Sequence, residues 1–154
     1  MNKRIQAVVF ITGMLMAGSA LSAQTEAERT DEEANRRLVI DFYDRFFNRH
    51  ETREAAKVVA DNYRQHNPEV PDGKAPFVDY FTGFFRDNPQ SHARIVRSAV
   101  DGDLVWLQVH SVNNNHDRGQ AVLDIFRVSE GKIVEHWDII QNVPEQSANG
   151  NTMF

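Results

Sequence analysis

The chain changes period at Pro89, and that change constrains its fold more than any other feature. Before Pro89, apolar residues recur every three to four positions. Thr30-Asp31-Glu32-Glu33 reads as a capping box with acids in the first helical turn. Leu38, Val39, Phe42, Tyr43, Phe46 and Phe47 then follow along one stripe, which predicts a first helix over 31–48. Ala55, Ala56, Val58 and Val59 predict a second, shorter helix over 51–61. Tyr63-Arg64-Gln65-His66-Asn67-Pro68 breaks it, because a residue before Pro avoids the helical region. Pro71-Asp72-Gly73 makes a turn, and Pro76 suits the first turn of a third helix carrying Phe77, Tyr80, Phe81, Phe84 and Phe85. After Pro89 the alternation has period two. Segments 94–100 and 104–112 flank Asp101-Gly102, and segments 120–128 and 132–140 flank Glu130-Gly131, which predicts two hairpins. Helices followed by an antiparallel meander describe an α+β domain and not a doubly wound one.

The first residues stand apart from this pattern. Lys3 and Arg4 precede an uncharged, mostly apolar stretch over 5–23 that closes in Ala17, Gly18, Ser19, Ala20, Ser22 and Ala23. That order is the order of a secretory signal peptide cleaved after Ala23. The expected organisation is therefore a signal peptide over 1–23, a polar lead-in over 24–30 and a single domain over 31–154. Such a protein is exported to the periplasm or the medium and keeps no stable membrane anchor after cleavage. Several chemistries are excluded. Cys is absent, which removes disulfides, thiol nucleophiles, thiolate zinc sites and a lipoprotein anchor. The formal charge is -5 and no run of Lys and Arg exceeds two residues, so nucleic acid is not an expected partner. The histidines lie on different elements without ligand spacing, so no metal is expected; no cofactor motif is present either.

Antiparallel sheets usually bury one face and wet the other. In Val122-Leu123-Asp124-Ile125-Phe126 a carboxylate shares its face with Val122 and Phe126, so Asp124 is a candidate pocket residue. A two-residue turn at Glu130-Gly131 puts Ser129 opposite Lys132 and, counting back, Asp124 opposite Trp137. Cross-strand partners share a face, and a carboxyl beside an indole is suited to proton transfer. Trp106, Gln108 and His110 alternate together on the preceding strand. They join Asp124 if the long loop keeps an even register; a one-residue slip reverses the assignment.

Tyr63-Arg64-Gln65-His66-Asn67-Pro68, Pro71-Asp72-Gly73, Asp124-Ile125-Phe126-Arg127, Gly131-Lys132-Ile133-Val134-Glu135-His136-Trp137-Asp138 and the closing Asn151-Thr152-Met153-Phe154 together resemble the SnoaL-like polyketide cyclase family, in its predicted aldol-condensation branch. The resemblance covers about Glu33 to Phe154. It implies the nuclear-transport-factor-2-like fold, a cone-shaped curved antiparallel sheet, here of about four strands, wrapped around three N-terminal helices with a pocket in the concave face. It also implies roles. A Gln-x-His pair on one strand and an Asp on the next, matched by Gln108, His110 and Asp124, perform an aldol closure without metal or cofactor. Asp124 is the acid/base, His110 and Gln108 polarise the carbonyl, His66 reaches the pocket, and Asn35, Arg36 and Tyr43 are the candidates for the family's polar residue on the first helix. Trp137, by its register opposite Asp124, and Phe81, on the ring stripe of the third helix, complete the substrate-binding candidates.

The expected function is an exported, cofactor-independent acid/base enzyme acting on a small carbonyl compound by aldol, cyclase, isomerase or dehydratase chemistry. The alternative is a non-catalytic periplasmic binding protein for a small apolar or aromatic ligand. Either form is expected to be a homodimer, since apolar residues on both faces of the strands call for a partner.

Overall fold

The computed structural model describes residues 9–154, with side chains from Thr25 onward. Helix α1 (Val9–Tyr43) continues into a π-helical turn over Asp44–Asn48, closed by the Arg49 amide donating to the Asp44 carbonyl at 3.1 Å. The predicted lead-in over 24–30 is therefore helical, and the predicted helix end at 48 belongs to the π turn. The signal-peptide reading of 1–23 depends on Lys3 and Arg4 and on apolar side chains, all of which lie outside the described residues. Among the described residues no helix is long and apolar enough to cross a membrane.

The predicted second helix is much shorter than 51–61. Helix α2 (Thr52–Ala55) and a single 3-10 turn over Ala56–Val58 give way to strand β1 (Val59–Gln65). The helix is lost to long-range pairing. Strand β1 runs parallel to the last strand, with Val59 opposite Ile133 and Gln65 opposite His136, and the His66 amide donates to the His136 carbonyl at 2.9 Å. A ladder partner 71 residues away in sequence outweighs the local preference of Ala and Val. Helix α3 (Lys74–Asp87) follows as predicted.

Strands β2 (His92–Asp101), β3 (Leu104–Val112), β4 (Gln120–Ser129) and β5 (Lys132–Asn142) form the antiparallel meander. With β1 they make five strands, one more than expected, in the order β1-β5-β4-β3-β2, a curved and unclosed sheet. Alternation on β3 and β4 buries Val105, Leu107, Val109, Val122, Asp124, Phe126 and Val128 on the concave face. That face closes on Val39, Phe42, Tyr43 and Phe46 of α1 and its π turn, and on Phe77 and Phe85 of α3. Phe46 and Phe77 stack at 4.7 Å, so the two helices meet through rings.

Two local features set the registers. Glu130 and Gly131 both have positive φ (50° and 69°), the two-residue turn expected, and Ser129 pairs with Lys132. One pair later the ladder slips: Val128 faces Ile133 but Arg127 faces Glu135, leaving Val134 as a bulge. Between β3 and β4, Gly119 has φ +77° and a Cβ there would lie 2.1 Å from the Ser111 carbonyl oxygen. Only glycine permits that approach, and it pins Ser111 opposite Gln120.

Candidate active site

A cavity of about 440 Å³ opens between α1, α3 and the concave sheet face. Its helical walls are rings, Phe47, Phe77, Tyr80, Phe81 and Phe84, and its sheet wall carries Val122, Asp124, His136 and Asp138. The alternation of β4 and β5 explains the second set. Asp124 pairs directly with Asp138, and Phe126 with His136, so all four project to one side.

Asp124 is 5% exposed and His136 7%. Buried polar groups of this kind need partners, and each has them. The Tyr43 hydroxyl donates to Asp124 Oδ2 at 2.8 Å, and His136 Nε2 lies 2.9 Å from Asp124 Oδ1. His136 Nδ1 lies 2.9 Å from Gln65 Oε1. That oxygen also accepts the backbone amides of His66 and Asn67, both at 3.0 Å, while the Gln65 amide nitrogen donates to the Tyr63 hydroxyl. Backbone N–H groups can only donate, so the Gln65 oxygen is fixed as an acceptor and His136 Nδ1 must carry a proton. A second proton then lies between Nε2 and Asp124, since two lone pairs would repel at that distance. The couple holds one transferable proton, buried at the cavity wall. Asp138 is held by Asn67 Nδ2 on Oδ2 at 2.7 Å, and its Oδ1 has no hydrogen-bond partner among the described residues.

The tyrosines are donors here. Burial, then the charge of Asp124, keeps the Tyr43 hydroxyl protonated well above the usual phenol range. Burial raises Tyr63 likewise. Among the described residues, Asp124, His136 and Asp138 could together hold a metal ion, since each offers one ligand atom and these lie within 4.8 Å of one another. Two of those residues, Asp124 and His136, are already bonded to each other.

The structure divides the residues expected at the site. Asp124, Tyr43 and Phe81 line the cavity. Gln108, His110, Trp137 and His66 do not. Because Ser111 pairs with Gln120, Asp124 stands opposite Leu107, and the concave positions of β3 are Leu107 and Val109. Gln108 points to the other face, where it accepts from Arg97 and donates to the Met153 carbonyl. His110 donates through Nε2 to the Arg118 carbonyl at 2.8 Å and packs on the Phe154 ring. The Val134 bulge turns Trp137 outward opposite Ile125, so it is not Asp124's neighbour. It stacks instead on His66 at 4.6 Å, and His66 binds Glu135. The residues missed are His136, Asp138, Gln65 and Asn67. The shared face of His136 and Asp138 was visible in their i, i+2 spacing.

A family model described as SnoaL-like polyketide cyclase matches residues 37–147. No match is found among curated proteins. Among solved structures the chain is similar to a "putative ketosteroid isomerase" from Kribbella flavida, at 19% identity and a TM-score of 0.64 over 77% of this chain and 86% of that one. It is similar to a SnoaL-like protein of unknown function from Burkholderia thailandensis at 15% identity and a TM-score of 0.62, over 72% of this chain and 97% of that one. An NTF2-like protein of unknown function from Cytophaga hutchinsonii gives 17% identity and a TM-score of 0.60, over 70% and 89%. Likeness at these identities is likeness of fold.

Proposed function

The chain belongs to the SnoaL-like polyketide cyclase family, and from that premise we propose that it is a cofactor-independent acid/base catalyst for a small carbonyl compound. The observation that carries the reading is Asp124, buried between the Tyr43 hydroxyl and His136 Nε2 on the wall of an aromatic cavity. The couple gives its stored proton to the substrate carbonyl oxygen and takes one from the α-carbon. The C–H electron pair moves into the enol, and the couple ends as it began. Return of a proton at a different carbon completes an isomerisation; attack of the enol carbon on a second carbonyl completes an aldol closure. Tyr43 keeps one carboxylate oxygen oriented and Gln65 keeps the imidazole in a single tautomer.

Exchange of α-hydrogens for solvent deuterium in small ketones, followed by NMR, tests it. Asp124→Asn can keep both bonds, its oxygen accepting from Tyr43 and its amide donating to His136 Nε2. It should fold while losing exchange by about two to four orders of magnitude. Binding of ketones by wild type with no exchange would instead favour the non-catalytic binding reading, which the ring-lined cavity supports.

Two further parts of the reading concern the whole protein. Export with cleavage after Ala23 is supported by the basic start and small-residue close of 1–23. Mass spectrometry should find a periplasmic chain beginning at Gln24, and a membrane-bound chain with Met1 intact would refute it. Homodimer formation is supported by Ile139, 68% exposed on the outer sheet face; sedimentation showing only monomer at micromolar concentration would refute it.

A further inference from the structure

The charge of the cavity carries an inference about its ligand. Asp124 and Asp138 are direct cross-strand partners on one face, and like charges opposite each other destabilise a sheet. Asp124 is compensated by Tyr43 and His136. Asp138 is not: Asn67 satisfies Oδ2 and nothing among the described residues satisfies Oδ1. Glu69 adds a third carboxylate to the lining, and no Lys or Arg is among the lining residues. Two histidines also line it: His136 is bonded to Asp124, and His92 Nδ1 lies 3.2 Å from the Gln90 carbonyl. Opposite these acids stand Phe47, Tyr80, Phe81 and Phe84. Ring faces attract organic cations, whereas a hydrated metal ion gains little from walls of this kind.

We propose that the cavity takes a carbonyl compound bearing a protonated amine, with the ammonium seated on Asp138 among the rings of α3. That the ligand is a carbonyl compound rests on the proposed acid/base function; its charge follows from the lining alone. An ammonium N–H donates to the open Asp138 Oδ1 and relieves the repulsion from Asp124. A carboxylate or phosphate ligand meets the carboxylates of Asp138 and Glu69, with no Lys or Arg among the lining residues to offset them.

Three ketones of one shape test this: 4-(aminomethyl)acetophenone as cation, 4-methylacetophenone as neutral form and 4-acetylbenzoate as anion, titrated calorimetrically into the full chain at neutral pH. The cation should bind about tenfold more tightly than the neutral ketone, and the anion not measurably. Asp138→Asn, which keeps an oxygen for Asn67, should erase that preference, so that the cation and the neutral ketone bind alike. An anion bound as tightly as the cation, or a preference that survives Asp138→Asn, overturns the proposal. So does Zn²⁺ binding that Asp138→Asn abolishes when the three ketones bind alike, because the carboxylates would then belong to a metal. Should Asp138→Asn fail to fold, the wild-type ranking still decides. Deuterium exchange into the acetyl methyl, read on the same samples, separates the two proposals. Preference without exchange sinks the catalytic reading only; exchange without preference sinks this inference only.

Discussion

The two faces of the β3–β4–β5 sheet are built from the same strands in alternate positions, yet polar residues do opposite things on them. On the concave face Asp124 and His136 are almost fully buried and bonded to each other, to Tyr43 and to Gln65. On the outer face Gln108, His110, Glu135 and Trp137 bond to the chain's own surface: the Met153 carbonyl, the Phe154 ring, Arg127 and His66. Residue type does not distinguish the faces, since each offers a His, an acid and an aromatic ring. Burial against the helices does. It leaves Asp124 5% and His136 7% exposed, so the proton between them is held by protein groups at the cavity wall.

The largest expected effect breaks that comparison directly. Asp124→Asn should lower α-hydrogen exchange by about two to four orders of magnitude, while His110→Ala and Gln108→Ala should leave it within about twofold, since neither reaches the cavity. Exchange lost in His110→Ala at unchanged melting temperature would return catalysis to the outer face. Stability should show the same contrast more weakly. Leu107→Ala, at a position with no exposed surface, should cost about 2–5 kcal/mol in chemical denaturation. Ile139→Ser, on the exposed side, should change it by less than about 0.5 kcal/mol in a monomeric sample. A larger Ile139→Ser loss in a sample that sediments as a dimer would mean that a partner covers that face.

The smallest expected effect lies in the outer network. The His66 hydrogen bond first, and Arg127 second, hold the Glu135 carboxyl below its usual value of 4.5. A lowered carboxyl contributes stability that is fully present above its unfolded value and is lost as pH falls toward the folded one. Glu135→Gln should therefore flatten the acid limb of the stability curve below about pH 4.5 and change neutral stability by about 1 kcal/mol at most, because His66 and Arg127 are substantially solvent-exposed. A steeper acid limb in Glu135→Gln would show that the network does not hold the carboxyl down. Exchange activity should be unaffected, which sharpens the separation of the two faces.

Much of the fold was legible because it is local. The Phe stripes of α1 and α3, both hairpin turns and the polar loop between them follow from spacing and from Gly and Pro. Strand β1 was not legible, since its partner β5 is brought to it by the whole meander. The site was half legible for a related reason. Asp124 stood out by its apolar neighbours on one face, but which residues share that face depends on register.

The sequence by itself determined the alternation on each strand, and with it two fixed groups: Asp124 with Val122 and Phe126, and His136 with Asp138. Tertiary structure decided which groups meet. The Gly119 contact with Ser111 sets β3 one residue away from the even register, which turns Gln108 and His110 out and Leu107 in. The Val134 bulge does the same on β5, exchanging Trp137 for Asp138 opposite Asp124 and Glu135 for His136 opposite Phe126. Side chains alternate with period two, so a single residue of slip moves every one of them to the other face. Nothing in a two-residue turn records a bulge that follows it. Packing against α1 and α3 then fixed which face is buried, and so set the Asp124–His136 pair in the cavity wall and left His110 a surface contact.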